Sequence, residues 1–436
     1  MDITFVILSF EGPDLYSRAG GLATRVAELS EALADMGFQT HLFFIGDPNL
    51  PGHEITHQGR LHLHRWCQWI SKHHMWGVYD GEEGKLNDWN RSLPPWLEKE
   101  VIAPAIDRGG YVVVMGEEWQ TTGALNTLRR TITRRGWQGK VHLLWNANNV
   151  FSFERIDWRA LKDGAMITTV SRYMKHLMWP LGFDARVVPN GIPERWLIPV
   201  PQEMSQPLLD LFKGRMALVK VARWDPDKRW DMAVDAVLEL RRRGHRPLFL
   251  ARGGMEAHGK EVIVRAEKAG LRVTFADWKG SGVPPVVEAI RNGIDGDMLV
   301  LLNFLSEEQR RVLYHAGDAV LANSGREPFG LVGLETMAVG GVAMVGSTGE
   351  DYVTPGHDAI SLQTADPLEI VNQLTYLLAP GGPAPRLRIE ARRSAARYTW
   401  PAVVRRVFLP MLQELGVPVA AMSGNGVGTS APPNER

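Results

Sequence analysis

Ala319-Val320-Leu321-Ala322, followed by Ser324-Gly325-Arg326-Glu327-Pro328-Phe329-Gly330-Leu331-Val332-Gly333-Leu334-Glu335, is the stretch on which the reading of this chain turns. The first four residues read as a short buried strand. The run after Gly330 reads as a helix that ends at Val339, before Gly340-Gly341. Strand, glycine-bearing turn and helix in succession are the unit of a parallel α/β sheet. A helix that begins near Gly330 turns its free N–H groups and positive dipole end toward whatever binds above the strand, which suits a phosphate group. Glu335 then falls roughly 7–8 Å further along the axis, at about 1.5 Å per residue. A carboxylate there can accept two hydrogen bonds from a vicinal diol such as a ribose. Glu327, ahead of the helix, sits nearer a group on the far side of the phosphates. A capped helix with surface glutamates is the alternative.

Working outward, short apolar runs alternate with amphipathic helical stretches along most of the chain, the pattern of a parallel sheet with crossover helices. A first series of strands is expected at Ile3–Ser9, His41–Ile45, Val112–Met115, Val141–Trp145 and Ile167–Val170. A second opens at Met216–Val221 and continues through Leu248–Ala251, Val273–Ala276, Leu299–Leu302, Ala319–Ala322 and Val342–Val345. Leu22–Met36 reads as a helix with Val26, Leu29, Leu33 and Met36 on one face, closed by Gly37. The segment Val188-Pro189-Asn190-Gly191-Ile192-Pro193, with the Pro-rich stretch to Pro207, reads as the interdomain linker. The expected organisation is two doubly wound, Rossmann-like domains facing one cleft, residues 1–190 and 191–400. A helix at 401–415 and a disordered tail at 416–436, rich in Gly, Pro, Ser and Asn, complete it.

Composition narrows the class. At 436 residues the chain is too long for one ordinary core. Lys+Arg and Asp+Glu both number 49, so neither nucleic acid nor an anionic membrane is expected as a main partner. A single cysteine, Cys67, rules out an intramolecular disulfide framework and fits a reducing cytosol. The opening Met1-Asp2-Ile3-Thr4-Phe5 lacks the basic stretch of a signal peptide, and no apolar run approaches the length of a membrane span. Five of the fifteen tryptophans fall between Trp66 and Trp96. They can stack on sugar rings, but core packing is the better reading for most.

Residues 48–100 fit the alternation poorly and read as an irregular insert that lines or covers an acceptor side. They hold His53, His57, His62, His64, His73 and His74, which invites a zinc hypothesis. No Cys-x-x-Cys or His-Glu-x-x-His spacing supports one, so no metal is expected.

Two further loops carry chemistry. After strand one, Ser17-Arg18-Ala19-Gly20-Gly21-Leu22-Ala23 puts two glycines at a strand-to-helix turn, where a ligand can approach the backbone. The Gly-x-Gly-x-x-Gly spacing of a nicotinamide enzyme is absent. At the start of the second series, Val221-Ala222-Arg223-Trp224-Asp225-Pro226-Asp227-Lys228 places Arg223 and Lys228 on the turn above a strand. Two cations there can balance a diphosphate leaving group. A flexible turn and a solvated basic loop are the plainer readings of these two segments.

Taken together and in order, these motifs resemble the retaining GT-B glycosyltransferases of family 4, with some likeness to glycogen and starch synthases at Gly20-Gly21-Leu22-Ala23. The likeness runs from Ile3 to about Leu415 and is weakest over 48–100. Thr168-Thr169-Val170-Ser171-Arg172-Tyr173 and Val188-Pro189-Asn190-Gly191-Ile192 belong to it. The resemblance implies that Arg223 and Lys228 stabilise a departing nucleoside diphosphate, that Glu327 contacts the transferred sugar and that Glu335 holds the ribose. It also implies that Gly20, Gly21, Phe329, Gly330 and Leu331 contact donor phosphates or sugar. No metal and no further cofactor enter that scheme. The co-substrate is a nucleotide-sugar, with glucose the first choice of hexose, and the acceptor is a sugar or small polar molecule. One departure stands out. Many relatives carry a histidine after the strand corresponding to Val141–Trp145, whereas this chain reads Asn146-Ala147-Asn148-Asn149. Asn146 or Asn148 can hydrogen-bond a sugar but cannot act as a base near neutral pH. Glu118 follows another strand, where an acceptor could reach it. A sugar-nucleotide epimerase, a phosphorylase or a non-catalytic sugar-nucleotide-binding protein are the alternatives. The phosphorylase lacks a convincing pyridoxal lysine, and the intact Arg223, Lys228, Glu327 and Glu335 set weighs against a scaffold.

Overall fold

The computed structural model describes residues 2–419. The first sheet is built from β1 (Ile3–Leu8), β2 (Gln39–Ile45), β3 (His53–Thr56), β4 (Leu61–Trp66), β5 (Tyr111–Glu117), β6 (Val141–Ala147), β7 (Met166–Thr169) and β8 (Arg186–Val187). Its spatial order is β3-β4-β2-β1-β5-β6-β7-β8, parallel apart from the β3–β4 pair. The second is built from β9 (Met216–Val221), β10 (Pro247–Arg252), β11 (Val273–Ala276), β12 (Met298–Leu301), β13 (Ala319–Ala322), β14 (Ala343–Val345) and β15 (Ile360–Ser361). It runs β11-β12-β10-β9-β13-β14-β15 with every pairing parallel. All six residues of β1 are buried, as expected of a central parallel strand covered on both faces. The two doubly wound, Rossmann-like halves form the α/β GT-B architecture.

Strand order positions the site. In the first sheet the chain builds outward from β1 in one direction, then returns to pair β5 on the other side. In the second it does the same around β9 and β13. Loops at the carboxyl ends of strands flanking such a switch point diverge and leave a crevice. The Gly20-Gly21 segment, Glu117-Glu118, the Arg223–Lys228 turn and the Ser324–Phe329 loop follow β1, β5, β9 and β13 respectively.

Three expectations need correction. Residues 48–100 are not irregular. They form β3 and β4, which extend the first sheet past β2, then a helix at Glu82–Leu97. The alternation was hidden because β4 (Leu-His-Leu-His-Arg-Trp) is an interleaved strand rather than an apolar run. The Pro-rich stretch is not all linker, since Gln202–Phe212 is a helix with Pro207 inside it. Finally, the chain after Gly416 begins ordered. Val417 is buried against the first core, while the expected tail from 420 onward lies outside the described residues.

The C-terminal segment from Trp400 to Glu414 contains one wider turn at Val404–Phe408. Trp400, Val403 and Phe408 share a core with Ile3 and Phe5 of β1, and the Trp400 indole N–H donates to Glu28 Oε2 at 3.2 Å. This segment is therefore stapled to the first half. Trp89, Trp145, Trp196, Trp230 and Trp400 are fully buried, as the core reading expects, whereas Trp69 and Trp76 are exposed.

Candidate active site

The loops after β1, β9 and β13, with Asn148 and Asn149 after β6, enclose a cavity of about 650 Å³. Its first-half wall carries Glu11, Gly20, Gly21, Tyr79, Asn148 and Asn190. Its second-half wall is cationic, with Lys220, Arg223, Lys228 and Arg326 beside Glu327.

The cationic wall is a built unit. The Gly325 N–H donates to Asp227 O at 2.7 Å and the Arg326 N–H to the Asp227 carboxylate at 3.2 Å, so the loop after β13 is tied to the turn after β9. Lys228 Nζ lies 2.7 Å from Glu327 Oε2, and Glu327 itself is held by its N–H to Thr348 Oγ1 at 2.9 Å. Beneath them Lys220 is almost wholly buried. Its ammonium donates to Leu321 O and Asn323 Oδ1, while burial, reinforced by Lys228, pulls it down to about 7.

The helix Leu331–Ala338 starts where the sequence places it. Gly330 is its N-cap with φ 80°, and Phe329, Gly330 and Leu331 all line the cavity. Glycine is required at 330 for two reasons. The backbone is left-handed, and a Cβ would come within 3.2 Å of Glu327, Glu350 and Tyr352.

Gly20 and Gly21 behave differently. Gly20 is extended at φ −162°, and a Cβ on either residue meets nothing within 4 Å. The turn therefore does not need positive φ; the glycines leave room in the cavity. Nor are all the amides of this loop vacant. Glu11 Oε2 accepts from the N–H groups of Ala19 at 3.2 Å, Gly20 at 2.9 Å and Ala23 at 3.2 Å, and Tyr79 Oη donates to Oε1 at 2.8 Å. The helix N-terminus expected to receive a ligand anion is capped by the chain's own carboxyl group.

Of the three candidate sugar or acceptor contacts, only Asn148 reaches the cavity. Asn146 is fully buried, donating to Glu117 Oε2 at 2.9 Å and accepting from Thr168 Oγ1 at 2.9 Å. Glu118 is buried behind the wall, accepting from the Asn148 N–H at 2.7 Å, and burial pushes its carboxyl up to about 8. Asn148 Nδ2 donates to Glu117 Oε2 at 2.7 Å, and Arg25 Nε donates to Glu117 Oε1 at 3.0 Å. The asparagines thus complete a polar network under the cavity floor rather than offering two free amides.

Glu335 is also not on the wall. Both its oxygens take Arg310 Nη1, at 3.0 and 2.8 Å, and Arg310 packs over the Trp196 ring. Burial raises its carboxyl above the usual range, and the Arg310 guanidinium opposes this. The remaining candidates (Arg223, Lys228, Glu327, Gly20, Gly21, Phe329, Gly330 and Leu331) meet in one cavity.

Sequence reasoning missed Glu11, Tyr79 and Lys220. Glu11 had a signal, since it directly follows the first strand on the edge where loops build sites. Lys220 lies inside a strand and Tyr79 inside the insert, so neither stood out.

The Glycosyltransferase Family 4 model matches residues 19–196. No curated protein sequence matches the chain significantly. Among solved structures, the fold is similar to sucrose-phosphate synthase from Thermosynechococcus elongatus, with TM-score 0.68 and 19% identity, covering 95% of this chain and 100% of that one. It is similar to the catalytic domain of starch synthase IV from Arabidopsis thaliana bound to ADP and acarbose, with TM-score 0.67, 14% identity and coverage of 95% and 99%. It is also similar to Anabaena HepE in complex with UDP and glucose, at TM-score 0.60 and 12% identity, with coverage of 94% and 99%. Residues 19–196 match the Glycosyltransferase Family 4 model, and the chain as a whole has the GT-B fold of these solved structures.

Proposed function

We propose that this chain is a retaining hexosyltransferase that moves a hexose, glucose first, from a nucleoside-diphosphate sugar to a hydroxyl of a sugar or small polar acceptor. The observation that carries the reading is the joining of Arg223, Lys228, Glu327 and the open N-terminus at Gly330 in one cavity, opposite Gly20 and Gly21. Solved structures of similar fold hold UDP-glucose, or ADP with acarbose, which supports a nucleotide-sugar donor.

The diphosphate lies against Arg223, Lys228 and the amides of Phe329, Gly330 and Leu331. Glu327 meets the hydroxyls of the transferred sugar once Lys228 turns to the phosphate. As the bond from the anomeric carbon to the phosphate oxygen breaks, negative charge grows on the diphosphate. Cations already in place stabilise it without rearrangement. The acceptor hydroxyl attacks from the leaving-group face, forms the new glycosidic bond and passes its proton to a phosphate oxygen, which preserves the anomeric configuration. Asn148 offers its side-chain oxygen to the sugar, its nitrogen being committed to Glu117. The ribose role of Glu335 requires a ribose that reaches past Val332 and shares the carboxylate with Arg310. The buried thiol of Cys67 fits a reducing cytosol.

The scheme needs no metal. The test is donor hydrolysis and transfer with UDP-, ADP- and GDP-glucose, with the product anomer read by proton NMR, in excess EDTA. The expected outcome is one preferred donor, an α product from an α donor, and a rate unchanged by chelation. Failure of every nucleotide-sugar to raise the melting temperature, where saturation at 100 times Kd adds about 2.7 kcal/mol, would refute the reading.

A further inference from the structure

β4 carries His62-Leu63-His64, and alternate residues of a strand project from the same face of the sheet. Its neighbours add to that face. In the parallel pairing with β2, His41 stands beside His62, and in the antiparallel pairing with β3, His53 stands beside His64. Three adjacent strands therefore deliver four imidazoles to one patch.

The rings form two hydrogen-bonded pairs stacked on each other. His41 Nδ1 lies 3.0 Å from His64 Nε2 and His53 Nε2 lies 3.2 Å from His62 Nδ1, each pair near coplanar at 13° and 14°. Across the stack, His41 and His62 have centroids 4.4 Å apart, and His53 and His64 4.5 Å. The ligand nitrogens of His41, His62 and His64 all lie within 4.8 Å of one another.

We propose that His41, His62 and His64 bind a divalent transition-metal ion of the zinc class, with His53 or a water as fourth ligand. Zinc–imidazole bonds of about 2.0–2.1 Å put tetrahedral ligand nitrogens roughly 3.3–3.4 Å apart. The present spacings run from 3.0 Å to no more than 4.8 Å, so the nitrogens are already near that separation, and the nearly parallel rings tilt until their lone pairs converge on the ion, which takes the place of the shared protons. The donor set suits zinc, nickel or copper and not magnesium or calcium, which prefer oxygen. The chemistry also has an entry path. His53 is exposed and His62 half-buried, while His64 closes the inner side against Trp96, at 5.3 Å between ring centroids. None of the four lines the cavity. The ion would clamp the β3–β4 edge to β2 and take no part in sugar transfer. The site therefore stands independently of the functional reading.

The histidine count of residues 48–100 invites metal, but neither a Cys-x-x-Cys nor a His-Glu-x-x-His spacing accompanies it. The pattern that matters is the strand spacing His62-x-His64 completed by His41 from outside the segment.

The test uses the full chain without a polyhistidine tag, stripped with EDTA and desalted. Zinc chloride is titrated by calorimetry, and cobalt substitution is followed by optical absorption. One zinc per chain is expected, with a tetrahedral cobalt spectrum and a raised melting temperature. His62→Ala, at the half-buried position, and His41→Gln should each weaken zinc at least ten-fold, whereas His73→Ala in the same segment should not. Donor hydrolysis should be the same with and without zinc. No zinc uptake, an octahedral cobalt spectrum (an adventitious ion only) or equal affinity in wild type and His62→Ala would overturn the proposal. If His41→Gln fails to fold, His62→Ala and the cobalt spectrum still decide it.

Discussion

Arg223 and Lys228 sit on a loop outside both cores, so their value lies in the charge they present. Arg223→Ala or Lys228→Ala should lower turnover by about 10²–10³ at saturating donor. Each should shift stability by no more than about 1 kcal/mol, since the Lys228–Glu327 pair is a partly exposed ion pair. Steady-state kinetics beside chemical denaturation checks both halves, and near-normal turnover would remove the diphosphate role. Glu335 is a different case because its carboxylate is what neutralises Arg310 in a buried setting. Glu335→Gln should cost about 1.5–3 kcal/mol of stability as well as weakening nucleoside diphosphate binding, a charged acceptor having been lost. Calorimetry that found unchanged diphosphate affinity in a destabilised protein would leave the residue purely structural. Lys220 predicts a pH effect. Its pKa falls from 10.5 in the unfolded chain to about 7, burial being the larger cause. The native state therefore binds fewer protons between those values, and this stability contribution is present above the upper pKa and lost as pH falls through about 7. A diphosphate nearby favours the ammonium, so binding at pH 8 should take up protons. Calorimetry in buffers of different ionisation enthalpy should show that uptake, and Lys220→Met should abolish it.

At the scale of the element, two strand-to-helix turns that look alike in sequence do different work. The turn before Leu331 is fixed by a left-handed Gly330 wedged among Glu327, Glu350 and Tyr352. The turn before the helix Gly21–Asp35 is held by Glu11, and its glycines are bounded by open space. Gly21→Val should consequently fold with a melting temperature near wild type and still bind nucleoside diphosphate through the second half. It should lose transfer, because the branched side chain occupies the cavity. Full transfer by a folded Gly21→Val protein would make the loop a mere turn. β3 and β4 show the converse, elements that exist without an apolar run. In β4 the buried polar side chains are paired instead, Arg65 with Asp14 and Glu54 and His64 with His41, at positions that an apolar central strand gives to valine.

The whole molecule divides its site between two halves joined at few points. Arg172 Nε meets Asp351 Oδ1 at 2.9 Å and Arg195 Nη2 lies 3.8 Å from Glu28 Oε1, while at the crossing between the halves the Ile192 N–H donates to Tyr398 O at 2.9 Å. Two of these are partly exposed ion pairs and cheap to break, while the third belongs to the segment around Ile192 and Thr399 where the chain crosses twice. That crossing is the natural hinge, and a donor that touches both walls favours the more closed arrangement. Solution scattering should show the radius of gyration falling when nucleotide-sugar is added. An unchanged curve at saturation would mean that the cavity is preformed.

From sequence alone, both series of central strands and the loops after β1, β5, β9 and β13 could be read. A parallel strand covered on both faces must be an apolar run, and the chemistry follows at its carboxyl end. What tertiary structure alone decided is which polar group meets which. Glu11 takes the amides that looked free for a phosphate, Arg310 takes Glu335, and Glu117 absorbs Asn146 and the Asn148 amide. His41 and His64 meet although 23 positions apart. A buried polar group must find a partner, but which one depends on sheet order and strand register, and these are set by packing across the whole chain rather than by its neighbours in sequence.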